Sequence, residues 1–176
     1  MDNGARSYRR FLDGDRSAFD AIMDELFFGV VFFANRYVRD VHAAEDIAMD
    51  TFVELIVHPH RYNFKVSLKT YLYTIARSRA IDYIRRRRFV SLDEEAETAD
   101  LRTLEEKFFS DERRRDVNAA VEKLPEKMRA AVHLVYFDEM TYDEAARVLG
   151  MKYKQIDNLL YRARRDLKEI LGEVKK

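Results

Sequence analysis

The chain has 176 residues, of which 47% are hydrophobic and 36% charged, and its formal net charge is zero. The absence of cysteine excludes disulfide bonds, thiolate metal sites and thiol nucleophiles. Five glycines and two prolines leave few turn signals, so a composition rich in helix-forming residues predicts an all-α protein.

The charges are segregated along the chain. Acidic residues prevail in 15–54 and 93–116, and basic residues in 61–88 and 147–168. Such blocks suit a protein that binds phosphates with one surface and a basic protein partner with another, although a single charge run is often only a solvated helix face. The N-terminal residues lack an apolar signal segment, and the apolar run 26–34 is shorter than the roughly 20 residues that span a membrane. We therefore expect a cytoplasmic protein without membrane insertion.

Two helices are predicted in the first 57 residues from apolar positions at helical spacing. The first starts between Asp15 and Ser17 and ends near Tyr37. The second runs from about His42 to Val57 and stops before Pro59, because proline disfavours helical geometry in the residue before it. Its predicted inward residues are Ile47, Phe52, Val53 and Ile56, and its predicted outward residues are Glu45, Asp46, Asp50 and Glu54.

A third helix is predicted after Ser67, which is a suitable N-cap. Its apolar stripe of Leu68, Leu72 and Ile75 changes phase near Ser78 and continues as Ala80, Ile81 and Ile84. Either the helix bends there or this segment is buried on two sides. Beyond it, residues 91–112 are acidic and weakly periodic, which indicates a flexible linker between a domain at 1–90 and a domain at 113–176.

Three helical signals follow in the second domain. Pro125 opens a helix that extends to about Tyr136. Thr141 and Glu144 form a capping box for the next helix, which ends at Gly150. A last helix covers about Lys154 to Leu171, so the pattern predicts a helix-turn-helix.

The last helix has a packing side and a polar side. Ile156, Leu160, Ala163 and Leu167 share the first side, and Gln155, Asn158 and Arg162 share the second. Gln and Asn can pair with adenine and Arg with guanine in a major groove. The candidates for phosphate contacts are Lys152, Lys154, Arg164 and Arg165. The alternative is an ordinary helical hairpin with solvated polar residues, and Asp157 would repel phosphate unless it points away.

Several segments resemble extracytoplasmic-function (ECF) sigma factors of the sigma-70 family, in order and spacing. Residues 70–78 (TYLYTIARS) with 82–86 (DYIRR) resemble the family's "TWLYTIARN…D.LRR" segment, and 44–52 (AEDIAMDTF) is similar to its "AEDLVQETF" helix. Residues 124–125, 141–150 and 162–164 (RAR) resemble its C-terminal helix-turn-helix.

This resemblance implies a protein of two helical domains, sigma regions 2 and 4. Region 2 would bind RNA polymerase core and the −10 element, and region 4 the −35 element. The implied partners are the clamp helices of the largest polymerase subunit, the flap region, promoter DNA and an anti-sigma factor. The implied core-polymerase contacts are Asp46, Met49, Asp50 and Glu54, and the three carboxylates among them suit a basic partner. The implied −35 contacts are Lys152, Lys154, Gln155, Asn158, Arg162 and Arg165.

The implied −10 contacts are Lys69, Tyr71, Tyr73, Arg77, Ser78, Arg85, Arg86, Arg87 and Arg88. Stacking at roughly 1–3 kcal/mol per base is of the right size to offset the extrusion of a base. Tyr71 and Tyr73 lie on different helix faces, so we expect only one of them to meet DNA. Tyr71 stands where relatives have Trp, and Ser78 where many have Asn. Val66, Asp157 and Leu159 also depart from the family pattern.

Two other functions remain open at the level of sequence. A dimeric helix-turn-helix regulator would explain residues 141–171 but gives no role to residues 61–88. An enzyme could use His42, Glu45, Asp46, Asp50, Glu54, His58 and His60 as metal ligands or acid–base groups, but these carboxylates all lie on one helix, and no Glu-x-x-His partner accompanies them. We therefore expect no catalytic residue, no metal and no cofactor.

Overall fold

The computed structural model describes residues 2–90 and 112–174, and within these segments the chain forms helices and no strands. The chain divides into two compact units, Met1–Ala99 and Asp100–Lys176. The all-α prediction is thus confirmed. The predicted linker 91–112 lies outside the described residues except for Glu112, so its bounds stay a prediction.

Residues 2–90 of the first unit form four α-helices. They are α1 (Asn3–Leu12), α2 (Ser17–Val38), α3 (Val41–Val57) and α4 (Leu68–Val90), with a short 3₁₀ turn at Pro59–Arg61. The predicted helices correspond to α2, α3 and α4. The sequence interpretation missed α1, which begins where the Asp2 carboxylate accepts the Ala5 N–H at 3.0 Å.

The core of this unit lies where α2 packs against α3 and α4. One continuous α4 begins after Ser67, whose Oγ accepts the Thr70 N–H at 3.1 Å as the predicted cap. The buried residues Leu68, Leu72, Ala76 and Ala80 recur every four positions along α4 without interruption. Ile81, which the apolar pattern placed on the stripe, is exposed.

Helix α3 has apolar residues on two faces, and only one of them is covered. Ile47, Phe52 and Leu55 are buried in the core. The predicted inward orientation of Val53 and Ile56 is wrong, because their side chains are 42% and 51% exposed. The neighbouring helices cover the opposite side of α3.

The described part of the second unit, residues 112–174, also contains four α-helices. They are α5 (Glu112–Glu122), α6 (Glu126–Val132), α7 (Tyr142–Leu149) and α8 (Tyr153–Val174), and α6 continues into a π-helical turn at His133–Phe137. None of the helices in the described part of the chain combines the length and apolarity needed to cross a membrane.

The start and end signals predicted for α7 are both present. The Thr141 Oγ1 accepts the Glu144 N–H at 3.3 Å, and the Glu144 carboxylate accepts the Thr141 N–H at 3.0 Å. Gly150 ends the helix with a φ of +65°, a conformation that glycine adopts without steric cost. Ile156, Leu160 and Ala163 of α8 are buried as predicted, where α8 packs on α6 and α7. The helix-turn-helix is therefore built as the sequence indicated.

Candidate protein and nucleic-acid interfaces

The outer face of α3 carries carboxylates and exposed apolar side chains together. Asp46 and Asp50 are exposed as predicted. They share this face with exposed apolar residues at helical spacing, which we call the α3 stripe: Met49, Val53, Ile56 and Val57. A face of this kind fits a partner helix that is apolar along its contact line and basic at its edges. Sequence reasoning found the carboxylates but assigned Val53 and Ile56 to the core.

Glu54 has a different position from the other carboxylates of α3. Its side chain is only 14% exposed and pairs with Arg61 and, at 3.2 Å, with Arg79 of α4. The hydrogen bond from Arg61 is the main cause that lowers the pKa of the Glu54 carboxyl. The prediction that Glu54 faces outward is therefore corrected: it joins α3 to α4 and to the segment after α3.

The segment between α3 and α4 is packed by aromatic rings, and we call residues 59–67 the aromatic loop. Within it, the Tyr62 and Phe64 ring centroids are 4.6 Å apart. The Tyr71 ring of α4 lies 4.9 Å from that of Tyr62, and partial burial raises the pKa of the Tyr71 hydroxyl. Tyr71 is half-buried and keeps part of its surface in solvent.

The structure separates the two tyrosines that the sequence offered as stacking candidates. Tyr73 is 1% exposed and packs against Phe33 at 5.0 Å, so it is a core residue. Its predicted contact with DNA is corrected for that reason. Tyr71 and Ser78 lie seven residues apart and hence on one face of α4, together with Arg85.

The remaining basic candidates of α4 are exposed to different degrees. Lys69 and Arg77 are half-buried, and the Lys69 ammonium lies 6.0 Å from the Tyr73 ring. Arg85, Arg86 and Arg88 are exposed and Arg87 is half-buried. Arg85 pairs with Asp82 at 2.6 Å. A cavity of about 470 Å³ between α3 and α4 is lined by residues that include Asp46, Asp50, Arg79 and Arg86.

In the second unit the predicted base-contacting residues come together. Gln155, Asn158 and Arg162 line a shallow cavity of about 220 Å³ with Lys127, Met151 and Leu159.

The other predicted DNA contacts of this unit are charged residues on α8 or just before it. Lys152, Lys154 and Arg165 are exposed, and Arg165 pairs with Asp166 at 3.1 Å. The Gln155 carbonyl accepts the Lys152 N–H at 2.8 Å, so this side chain also caps α8. Asp157 is exposed but lies outside the cavity.

The ligands considered for an enzymatic metal site are not assembled. Among residues 2–90 and 112–174, no three His, Asp or Glu side chains are grouped as a metal ion would need. The class of protein that this fold defines is a two-unit helical protein whose second unit contains the helix-turn-helix typical of DNA-binding transcription factors.

Comparison with known proteins agrees with this class. The family model of sigma-70 region 2 matches residues 28–90, and that of sigma-70 region 4 matches residues 114–167. Together they cover about two thirds of the chain. The ECF RNA polymerase sigma factor SigW of Bacillus subtilis is 27% identical over 173 residues, or 92% of each chain. SigM of the same organism is 28% identical over 134 residues, which are 75% of this chain and 82% of SigM.

Two solved structures share the fold. CnrH in complex with the cytosolic domain of CnrY has a TM-score of 0.68 at 21% identity and covers 98% of this chain and 99% of CnrH. The sigma factor RpoE in complex with the anti-sigma factor NepR, from Bartonella quintana, has a TM-score of 0.66 at 22% identity and covers 88% of this chain and 96% of RpoE. The chain belongs to the ECF group of the sigma-70 family. It is a sigma factor, a protein that binds RNA polymerase and directs transcription initiation at promoters.

Proposed function

We propose that the outer face of α3 docks on RNA polymerase, that the aromatic loop and α4 hold the −10 element, and that α8 recognises the −35 element. The observation that carries the first assignment is the α3 stripe beside Asp46 and Asp50. When a partner covers a row of exposed apolar side chains, the free energy of binding becomes more favourable by about 25 cal/mol for each Å² that is buried. The carboxylates attract a basic partner and orient it.

The assignment of the −10 element rests on one face of α4. Tyr71 presents a partly exposed ring at its start, and Ser78 and Arg85 follow on the same side. A base that leaves the duplex can stack on Tyr71, while the arginines at the end of α4 contact phosphates of the adjoining duplex. Of the two tyrosines that the sequence offered, Tyr71 then supplies the aromatic surface, since Tyr73 is enclosed in the core.

The assignment of the −35 element rests on α8, the second helix of the helix-turn-helix. Asn158 and Arg162 are exposed side by side and can pair with base edges. Lys154 and Arg165 are exposed beside them and suit phosphates. While its side-chain oxygen accepts the Lys152 N–H, Gln155 can offer a base only its amide NH₂; a bidentate contact with adenine needs that oxygen to be released.

We further infer that the protein acts in the cytoplasm by binding alone, without catalytic activity of its own. We also infer that an anti-sigma protein competes with the polymerase for this sigma factor. Support for the last point comes from the structural neighbour RpoE, which was solved with the anti-sigma factor NepR. A partner of that kind that covers the α3 stripe would block the polymerase directly.

The α3 stripe can be tested with a matched pair of variants. Val53→Ser changes a valine that is 42% exposed on α3, and Val117→Ser changes one that is 39% exposed in the second unit. Loss of one buried valine contact, about 1.5 kcal/mol, corresponds to roughly a tenfold weaker affinity for core polymerase. We expect this loss for Val53→Ser alone, measured by titration of the full chain with core enzyme. Equal affinities of the two variants would overturn the assignment.

A further inference from the structure

Helix α1 lies outside the segment matched by the region 2 family model, which begins at residue 28, yet it contacts the aromatic loop directly. Tyr8 of α1 is fully buried, and its hydroxyl donates to the Leu55 carbonyl at 2.7 Å. Burial raises the pKa of this hydroxyl to about 12. The Tyr8 ring lies 5.7 Å from that of Tyr62, edge to face.

The backbone conformation of Phe64 in the aromatic loop depends on contacts with neighbouring side chains. Its φ of +61° is a left-handed conformation that residues with side chains rarely adopt. A conformation of this kind persists only where surrounding contacts impose it. Here the contacts on the Phe64 ring come from Tyr62, from Tyr8 at 6.1 Å and from the Arg9 guanidinium, which lies 4.8 Å above the ring.

The contacts continue from α1 to the proposed stacking residue. Tyr8 packs on Tyr62, and Tyr62 packs on Tyr71 at 4.9 Å. Helix α1 also touches the start of α4, because a β-carbon at Gly4 would lie 3.1 Å from the Leu68 β-carbon. This distance is shorter than an ordinary van der Waals contact, so glycine suits the close approach. Helix α1 therefore contacts the aromatic loop and the helix that carries Tyr71.

We propose that α1 positions the aromatic loop for promoter opening, with Tyr8 and Arg9 as the positioning residues that act through Tyr62, Phe64 and Tyr71. This inference rests on the proposed function of the loop. We expect a selective effect: loss of the contacts between α1 and the aromatic loop slows strand opening and leaves the docking of the polymerase intact, since those ring contacts do not involve the α3 stripe.

Arg9 offers a test on the surface, where substitution does not disturb the core. Holoenzymes are prepared with Arg9→Ala, Arg9→Lys and the control Arg6→Ala, which changes an exposed arginine of the same helix that pairs only locally with Asn3. Opening is followed by 2-aminopurine fluorescence in the −10 strand, at saturating polymerase. The size of an exposed cation–π contact predicts opening about two- to fivefold slower for Arg9→Ala. Arg9→Lys keeps the cation and should restore most of the rate, and Arg6→Ala should match the unmodified chain.

Three further variants separate the failure of this inference from the failure of the proposed function. Tyr8→Leu removes the ring that packs on Tyr62 and Phe64, and we expect slower opening than with Tyr8→Phe, which keeps that ring and loses only the hydroxyl bond to the Leu55 carbonyl. Tyr71→Ala removes the proposed stacking ring itself. If Tyr71→Ala slows opening while Arg9→Ala and Tyr8→Leu do not, the positioning role is overturned and the role of Tyr71 stands. If Tyr71→Ala opens promoters normally, the proposed role of the loop fails, and the inference fails with it.

Discussion

Replacing Glu54 by glutamine removes the carboxylate that joins α3 to Arg61 and Arg79. The side chain is 14% exposed, whereas the guanidinium side chains of Arg61 and Arg79 are 55% and 35% exposed. A hydrogen bond to a charged group contributes about 1.5–3 kcal/mol when well buried, and an exposed ion pair about 0–1 kcal/mol. Because both arginines retain contact with water, we expect Glu54→Gln to lower the free energy of unfolding by about 1–2 kcal/mol.

The loss can be measured by thermal and urea unfolding of the full chain, with Glu45→Gln as the control. Glu45 lies on the same helix, is about half exposed and pairs only with His42 at 3.8 Å. We expect a fall in Tm of roughly 2–8 °C for Glu54→Gln. The control should stay within about 0.5 kcal/mol of the unmodified chain.

The contribution of Glu54 to the free energy of unfolding should depend on pH. Arg61 lowers the pKa of the folded Glu54 carboxyl, so its contribution is complete above the ordinary pKa of about 4.3 and is lost as the pH falls through the lowered value. The unfolding curves of the unmodified chain and of Glu54→Gln should therefore converge in acid. If Glu54→Gln has unchanged stability but binds core polymerase less tightly, Glu54 faces the polymerase, and the internal role described above is wrong.

Three more predictions concern the rest of the chain. The double variant Arg86→Gln, Arg88→Gln should weaken promoter binding equally for all sequences and reduce the slope of log affinity against log salt by about 2. Fluorescence anisotropy of holoenzyme on labelled promoter DNA measures both effects. A change in promoter choice would contradict a phosphate role. Glu139→Gly should stabilise the chain by about 0.5–1 kcal/mol in urea unfolding, because Glu139 has a φ of +54°, a left-handed conformation that is sterically unfavourable for a residue with a β-carbon. Glu139→Ala keeps the β-carbon and should not stabilise it. Thr141→Ala should destabilise it by about 1 kcal/mol in the same assay, since it removes the cap of α7; an unchanged midpoint would show that the cap is replaced by water.

The local signals in the sequence predicted α2 to α4 and α6 to α8 but missed α1 and α5. The capping box of Thr141 and Glu144, the left-handed Gly150 and the Ser67 cap depend on a few neighbouring residues, so they can be recognised without knowledge of the fold. The buried side of α8 follows in the same way from its spacing of apolar residues. Helix α1 also had a signal, with Ala5 and Tyr8 one turn apart, but the arginines around them obscured it.

The sequence could not show which face is buried in a helix that has two apolar faces. In α3 both Phe52 and Val53 are apolar, and only the positions of α2 and α4 decide that the first is buried and the second exposed. The role of Glu54 depends on Arg61 and Arg79, which lie 7 and 25 positions further along the chain. Contacts over such separations arise from tertiary packing and leave no periodic pattern.

The half-buried ring of Tyr71 against Tyr62 offers a spectroscopic use, because the chain contains no tryptophan. A Tyr71→Trp variant produced with fluorotryptophan would carry its single fluorine label at the proposed stacking position. Mixed with unlabelled polymerase and promoter DNA, it would report by nuclear magnetic resonance on the arrival of a base at that ring, without interference from the aromatic residues of the polymerase.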